Sequence, residues 1–262
     1  MVIRPLDIDA LRTEFRDASP FPHIVIDEFL DPEFAREVAA AYPSFEEAQE
    51  LGFAFDFVRE RRKIQISDSA LFPPAVARLH EALASSSFLE SLEAITGIDG
   101  LEADPSLGGG GMHVTGPGGR LDVHVDFNYN EDRHVYRRLN ILVYLNPEWE
   151  DDWGGAVELW DPKVKRCHKS VPPRLNQCVL FETSEISYHG VEPVAERARS
   201  PRQSFAAYYY TKQPHPTWSG ESHSTIFKAR PDENLRRFAL VPLEQAWLRG
   251  RQFIRDWRGR NR

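Results

Sequence analysis

Apolar residues in the first hundred positions recur mainly with the spacing of helices. After a strand-like run at 23–29, Asp31-Pro32 supplies a capping residue and a first-turn proline ahead of apolar positions that share one helical face. Two more helices are predicted where Pro73-Pro74 and Ser86 precede apolar residues with the same spacing. The three predicted helices begin at Asp31, Pro73 and Ser86; the first ends near Tyr42 and the last at Gly97.

Between about 108 and 212 the pattern changes to short apolar or alternating runs separated by glycine, proline and asparagine, which is typical of a sandwich or barrel of short strands. A helical period returns after Asp232, and Pro242 opens its clearest run. The predicted strands lie near 111–115, 121–128, 139–146, 156–160, 178–183, 189–194 and 203–211. We expect one α+β, mainly β domain over 1–262, with a helical N-terminal support (1–104), a strand-rich core (105–215) and a helical C-terminal tail (216–262).

Composition narrows the class of protein. The chain has 262 residues, of which 41% are hydrophobic and 27% charged, and this balance is typical of a packed globular protein. Its net charge of −8 argues against a broad nucleic-acid-binding face, because such a face needs clustered positive charge. We expect no nucleic-acid partner, and the sequence leaves the oligomeric state open.

Two further features bear on location. No apolar stretch reaches the roughly 18 residues of a membrane-spanning helix, and the opening MVIRPLDIDALRTEF carries charges where a signal peptide would be apolar. Cys167 and Cys178 fit neither a disulfide framework nor a zinc ribbon, so we interpret them as small, partly buried apolar residues. The prediction is a cytoplasmic protein with no membrane partner.

The segment 121–130, LDVHVDFNYN, carries the most informative pattern. Side chains alternate along a strand, so His124 and Asp126 project side by side from one face. With one more histidine they can form a two-histidine, one-carboxylate face that leaves three metal positions open, and His189, in ISYHGVEPV, is the candidate. Taken alone, a histidine and an aspartate at this spacing more often mark the solvated side of a sheet.

Four motifs in order give a more specific indication. They are His124-Val125-Asp126, the pair YLNPEW and WGGAVELW, the distal His189, and the arginine-led strand PRQSFAAYYYT. Together they resemble the prolyl-4-hydroxylase-type branch of the Fe(II)/2-oxoglutarate-dependent dioxygenases. The likeness covers roughly 105–215, and FPHIVIDEFL at 21–30 is similar to the strand-helix entry of bacterial members. The resemblance implies a double-stranded β-helix, or jelly roll, flanked by helices.

The resemblance also implies roles for individual residues. Arg202 would pair with the distal carboxylate of 2-oxoglutarate, since a guanidinium matches a carboxylate with two hydrogen bonds, and Tyr144 would donate its hydroxyl to the same group. Arg199 is the alternative to Arg202, although Ser200-Pro201 places it in a loop. The implied iron ligands are His124, Asp126 and His189.

The implied activity is Fe(II)- and 2-oxoglutarate-dependent hydroxylation of an unactivated C–H bond in a prolyl, peptidyl, amino-acid or other small-molecule substrate, with ascorbate in support. Two alternatives stay open. A non-catalytic or sugar-modifying jelly-roll protein predicts that the three ligands do not converge or that Arg202 faces solvent. A zinc-dependent hydrolase would use the same ligands with an activated water, but it gives Arg202 no function.

Two charged stretches, 54–66 and 128–138, are predicted to form a mobile rim over the site, while His113 and Asn140 are expected to line the pocket. The rim arginines predict a substrate with a carboxylate or other anionic group, unless they merely pair with neighbouring acids. These arginines are Arg59, Arg61, Arg62, Arg133, Arg137 and Arg138.

Overall fold

A computed structural model describes residues 2–233, so the helical run predicted at Pro242 lies outside the described residues. The helices are α1 (Ile8–Asp17), α2 (Pro32–Ala40), α3 (Phe45–Leu51), α4 (Pro74–Ala84) and α5 (Ser86–Thr96), with 3-10 turns at Ser69–Leu71 and Asp151–Trp153. The strands are β1 (His23–Ile26), β2 (Phe53–Phe55), β3 (Glu60–Ile66), β4 (Glu102–Ala103), β5 (Gly111–Val125), β6 (Tyr129–Asn130), β7 (Val135–Tyr144), β8 (Val157–Trp160), β9 (Cys167–Val171), β10 (Cys178–Glu182), β11 (His189–Val191), β12 (Arg202–Thr211) and β13 (Ile226–Lys228).

The three helices predicted from the sequence are present as α2, α4 and α5. The Asp31 side chain accepts hydrogen bonds from the backbone of Glu33 and Phe34 at the start of α2, and Gly97 ends α5 in the left-handed conformation with φ of 70°. Ser85, one residue before the predicted start, caps α5. Helices α1 and α3 were not predicted from the sequence.

Strand β5 organises the sheet, because its two halves pair with different strands. Its first half pairs with β12 and its second half with β11 and β13, while β3 pairs along both halves with a register shift between them. Glycines lie at the change of partner, and Gly118 there has φ of 76°, a region that favours glycine. The two strands predicted at 111–115 and 121–128 are therefore one bent strand that passes from one part of the curled sheet to the other.

The remaining strands extend from β5 in both directions in the order β1-β10-β7-β12-β5-β11-β8-β9. All described pairings among these neighbours are antiparallel, and the sheet curls into the expected jelly roll. The segment 1–104 supplies not only the helices but also β1, β3 and two shorter strands. In the described part of the C-terminal segment, 216–233, the structure has the strand β13 and no helix.

The main core lies between the helices and one face of the sheet. Val143 and Phe205 pack there against α2, α4 and α5. Tyr144, the next residue along β7, points to the other face and packs with Val157 and Phe181, as alternation along a strand requires. The helices thus fix the outer face and leave the inner face for a cavity. No helix of the described residues is long and apolar enough to span a bilayer.

Candidate active site

The sheet brings three potential metal ligands to one point. Strand β11 pairs with β5 so that His189 lies directly opposite His124, and the ring centroids are 4.3 Å apart. Asp126 follows β5 by one residue; its Oδ1 lies 3.5 Å from His124 Nε2 and its Oδ2 lies 3.5 Å from His189 Nε2. One ligand atom from each residue can be chosen so that all lie within 4.8 Å of one another. We call these residues the metal cluster.

Both histidines of the metal cluster are oriented by the backbone. His124 Nδ1 lies 2.9 Å from the Asp122 carbonyl oxygen, and His189 Nδ1 lies 2.9 Å from the Ser187 carbonyl oxygen. A carbonyl can only accept, so each Nδ1 carries the proton and each Nε2 keeps its lone pair. This tautomer is the one that a metal-binding imidazole needs, and such outer hydrogen bonds are typical of metal-ligating histidines.

The ionisation of the metal cluster also suits a cation. Burial alone would raise the pKa of Asp126, but the Arg137 guanidinium and the neighbouring His189 hold it well below its usual range. Burial, together with the nearby His124, lowers the pKa of His189 to about 4. Near neutral pH the cluster therefore offers a carboxylate and a neutral imidazole, the forms that coordinate metals.

The metal cluster opens into a cavity of about 210 Å³. His113 and Asn140 line this cavity, as the sequence predicts. Apolar walls come from Leu142 and Phe181, so a bound molecule would meet water-excluding surface beside a few polar groups. That combination is typical of small-molecule and cosubstrate sites.

Arg202 also lines the cavity, although only 3% of it is exposed. Its Nε donates to the Gly155 carbonyl at 2.7 Å and its Nη1 donates to Ser204 Oγ at 3.2 Å. Among the described residues no carboxylate lies within ion-pair distance of Arg202. Since the unpaired burial of a charge is costly, this arginine is suited to an anionic ligand. Arg199, the alternative from the sequence, is exposed.

Tyr144 completes what we call the arginine cluster, which consists of Tyr144, Arg202 and Ser204. The Tyr144 ring centroid lies 5.0 Å from Arg202 Cζ, and its buried hydroxyl has no well-formed hydrogen bond within the described residues. Burial raises the pKa of Tyr144 to about 12, so the hydroxyl keeps its proton and stays a donor. A buried donor without an acceptor next to a buried unpaired cation fits a carboxylate ligand.

Sequence reasoning missed the role of Arg137. This residue and Arg138 were assigned to a mobile rim, and that prediction is wrong because both are buried in β7, 4% and 7% exposed. Arg137 Nη2 lies 3.1 Å from Asp126 Oδ2, and Arg138 forms an ion pair with Glu182. A charge run in the sequence cannot reveal this, because the acids that pair with these arginines are distant along the chain.

Another rim arginine is also paired with acids. Arg133 forms ion pairs with Glu102 and Asp104. Every arginine in the stretch 128–138 is therefore paired with at least one acid. In the stretch 54–66, Arg61 and Arg62 are exposed, and Arg61 Nε lies 4.0 Å from Asp56 Oδ1, a distance at the limit of an ion pair. The prediction of an anionic substrate group therefore rests on that first stretch alone.

The segment before the end of the described range supplies a wall that the sequence did not predict. Strand β13 pairs with β5 so that Phe227 lies opposite His124, and the two rings stack with centroids 5.2 Å apart. Arg230, just beyond β13, is buried and forms ion pairs with Asp122 and Glu158. Only three residues form β13, too few for a period in the sequence to indicate it.

Comparison with known proteins agrees with this geometry. Residues 110–210 match the model of the 2OG-Fe(II) oxygenase superfamily. The chain is 34% identical over 85 residues to prolyl 3-hydroxylase OGFOD1 of Mus musculus and 35% identical over 69 residues to that of Xenopus laevis. These stretches cover 31% and 25% of this chain, but only 15% and 14% of the relatives' lengths.

Solved structures share the fold. A Pseudomonas putida prolyl-4-hydroxylase matches with a TM-score of 0.55 and 17% identity, over 77% of this chain and 98% of that one. A prolyl hydroxylase from Trichoplax adhaerens, in complex with a hypoxia inducible factor peptide, matches with a TM-score of 0.51 and 20% identity, over 78% and 87%. The jelly roll is thereby confirmed.

The match to the 2OG-Fe(II) oxygenase model over residues 110–210 and the convergence of His124, Asp126 and His189 agree with the resemblance to Fe(II)/2-oxoglutarate oxygenases. Convergence of the three ligands and burial of Arg202 oppose the non-catalytic jelly-roll alternative, which predicted the reverse.

Proposed function

We propose that this chain hydroxylates an unactivated C–H bond, with Fe(II) held by His124, Asp126 and His189 and 2-oxoglutarate held by Arg202 and Tyr144. One observation carries the proposal: a single cavity contains both the metal cluster and a buried arginine that lacks an acidic partner among the described residues. A metal cluster alone would also suit a hydrolase. The arginine beside it adds a binding site for a carboxylate.

Bound iron and 2-oxoglutarate supply the oxidising chemistry, in which 2-oxoglutarate gives succinate and carbon dioxide while one oxygen atom of dioxygen enters the substrate. The chain supplies binding and orientation. The two Nε2 atoms and the Asp126 carboxylate would supply three donors to a bound cation and leave its other positions to the cosubstrate and dioxygen. The apolar walls at Leu142 and Phe181 exclude water from that side.

The arginine cluster fits the distal carboxylate of 2-oxoglutarate. The Arg202 guanidinium is held at its Nε and Nη1 by neutral acceptors, so its charge is oriented but not neutralised. The Tyr144 hydroxyl, buried without a well-formed hydrogen bond, can donate to the same carboxylate. Gly155, whose carbonyl holds Arg202, has φ of 73°, and an added Cβ there would lie 3.2 Å from Arg202 Cδ, so a larger residue would disturb this contact.

For the substrate, we propose a prolyl residue within a peptide. The names of the similar proteins, prolyl 3-hydroxylase and prolyl-4-hydroxylase, support this class. An anionic group near the target ring is the finer expectation, supported by the exposed Arg61 and Arg62 on the strand that follows the cavity residue Phe55. Free amino acids and other small molecules are the competing substrates.

The test is succinate formation by the Fe(II)-loaded protein with 2-oxoglutarate and a panel of prolyl peptides, free amino acids and sugars. We expect at least one prolyl peptide to stimulate succinate formation, and mass spectrometry to show the peptide heavier by one oxygen atom. His124→Ala is the matched control and should remove the stimulation. Failure of Fe(II) and 2-oxoglutarate to support any turnover, combined with peptide hydrolysis by Zn(II)-loaded protein, would establish the hydrolase alternative instead.

A further inference from the structure

The two oxygen atoms of Asp126 have different surroundings. Oδ2 accepts a hydrogen bond from Asn140 Nδ2 at 2.7 Å and lies 3.1 Å from Arg137 Nη2. Among the described residues, Oδ1 has no comparable donor from outside the metal cluster; its nearby polar atom is His124 Nε2 at 3.5 Å. Oδ2 also lies 3.5 Å from His189 Nε2, so the two oxygens are equally close to the histidines of the metal cluster. They differ in that the two donors occupy both lone pairs of Oδ2, whereas Oδ1 stays available.

The two donors are themselves fixed. Arg137 Nε donates to Asn140 Oδ1 at 2.9 Å, so the guanidinium, the amide and the carboxylate form a closed network. The guanidinium also contacts two aromatic rings, with Cζ 3.5 Å from the Tyr208 centroid and 4.8 Å from the Phe127 centroid. Only 2% of the Arg137 side chain is exposed. A buried network with these contacts can restrict the rotation of Asp126.

A local irregularity in β7 makes this network possible. Arg137 and Asn140 are three residues apart, and in a regular strand their side chains would point to opposite faces. The pairing with β12 shifts at this place: Tyr210 lies opposite Arg137 and Tyr209 opposite Leu139, which leaves Arg138 as the extra residue. Such a bulge re-aims side chains, and here it turns both donors toward Asp126.

We propose that Arg137 and Asn140 are positioning residues that occupy Oδ2 of Asp126 and so restrict this ligand to its Oδ1 atom. The inference rests on the proposed function, since it concerns how the iron site is held. Neither residue binds the metal. Their effect on it passes entirely through Asp126, and a purely structural role in β7 would act whether or not Asp126 is present.

The experiment measures the affinity of the full chain for Co(II) by equilibrium dialysis in four proteins: wild type, Asn140→Leu, Asp126→Ala and the double variant. Asn140→Leu keeps the number and branching of the side-chain heavy atoms and removes the donor. Loss of an outer hydrogen bond to a ligand typically costs about tenfold to hundredfold in metal affinity, so we expect that loss for Asn140→Leu in the wild-type background. In the Asp126→Ala background the same substitution should change the affinity by less than about twofold, because no carboxylate remains to be positioned.

Two additional variants guard against an indirect effect. Asn140→Ser is too short to reach Asp126 but tolerates water in place of the amide, so it should also lose Co(II) affinity. This variant replaces Asn140→Leu in the experiment if Asn140→Leu does not fold. Arg138→Gln changes the neighbouring buried arginine, which pairs with Glu182 instead, and should keep the wild-type affinity. Circular dichroism establishes that each variant is folded.

The outcomes separate this inference from the proposed function. A wild-type protein that binds no Co(II), or binds it equally well as His124→Ala, would overturn the proposed iron site and this inference with it. Wild-type binding that depends on His124 but is unaffected by Asn140→Leu and Asn140→Ser would overturn the positioning role alone. An equal loss from Asn140→Leu in both backgrounds would also overturn it, because the effect would not pass through Asp126.

Discussion

At the metal cluster, the buried Arg137 lies against the carboxylate of Asp126. At the arginine cluster, the similarly buried Arg202 donates hydrogen bonds to a backbone carbonyl and to the Ser204 hydroxyl, and no acid of residues 2–233 pairs with it. Within the part of the chain that the structure describes, an acid compensates the first cation, and no acid compensates the second. Leaving a charge buried and unpaired costs several kcal/mol (about 3–5 when one partner of a buried pair is removed). This difference supports the proposal that Arg202 binds an anionic ligand from outside the chain, whereas Arg137 contacts the chain's own Asp126.

The largest expected effect comes from removing the acid of the metal cluster. Asp126→Ala should abolish hydroxylation and lower Co(II) affinity by more than about 100-fold, because a direct ligand is worth more than the outer contacts that give tenfold to hundredfold effects. Asp126→Glu should retain weak binding and little activity, since its longer arm misplaces the carboxylate. Activity is followed by succinate formation and affinity by equilibrium dialysis. Wild-type turnover by Asp126→Ala at saturating iron would show that this carboxylate is not required.

The next largest effect concerns the uncompensated arginine. Arg202→Ala should raise the KM for 2-oxoglutarate about 100-fold, since two hydrogen bonds to a charged group contribute about 1.5 kcal/mol each, and should leave Co(II) affinity near that of wild type. Arg199→Ala is the control from the same segment and should do little. If Arg199→Ala impaired 2-oxoglutarate binding and Arg202→Ala did not, the assignment of the two arginines would be reversed.

A smaller effect is expected in the pH dependence of stability. Burial lowers the pKa of His113 well below its ordinary value of 6.5, and the nearby cations Lys63, Arg202 and Arg137 contribute to this. Below pH 6.5 the unfolded chain takes up a proton at His113 that the folded chain does not, so acid favours unfolding. Between pH 7 and pH 5.5 this group should remove about 1 kcal/mol from the free energy of unfolding.

The check on this prediction is denaturant unfolding of wild type and His113→Gln at both pH values. The glutamine variant lacks the titrating group, so its stability should fall by about 1 kcal/mol less over the same interval. If the two proteins lost the same free energy of unfolding, His113 would take up a proton in the folded state. The positive charge around His113 would then be too weak to keep its pKa low.

The smallest effect belongs to Arg61 and Arg62, which are exposed and lie between the cavity residues Glu60 and Lys63 along β3. Charge reversal of Arg61 and Arg62 together should raise the KM for an acidic prolyl peptide about threefold and leave that for a neutral peptide unchanged, because exposed pairs contribute only up to about 1 kcal/mol each. Charge reversal of Arg174 and Arg197, which are exposed elsewhere and paired with Asp151 and Asp152, is the control. An equal change for both peptides would remove the argument for an anionic substrate.

The parts of the site that the sequence predicts are those that follow regular alternation. His124 and Asp126 share a face because they are two residues apart, and their third partner His189 is recognised by the order of motifs. Arg202 was preferred over Arg199 because a proline places the latter in a loop, and the structure has Arg202 inside the cavity and Arg199 exposed.

The parts that the sequence did not predict depend on irregular or distant pairing. The bulge at Arg138 turns Arg137 inward, and alternation gives no sign of a bulge. Phe227 lies opposite His124 because β13 pairs with β5. Strand β13 has only three residues, which is too short for a periodic pattern in the sequence. The sequence of β7 resembles a solvent-exposed charged stretch. The acids that pair with its buried arginines, Asp126 and Glu182, lie outside that stretch.

The most direct measurement compares two ligands that differ only in the distal carboxylate: 2-oxoglutarate and 2-oxopentanoate, titrated calorimetrically into Co(II)-loaded wild type and Arg202→Met without oxygen. The wild type should prefer 2-oxoglutarate by about 100-fold, and the preference should nearly vanish in Arg202→Met, while 2-oxopentanoate binds both proteins with similar affinity. Equal affinities of the wild type for the two ligands would contradict the account, because Arg202 would then be a buried cation that no carboxylate compensates.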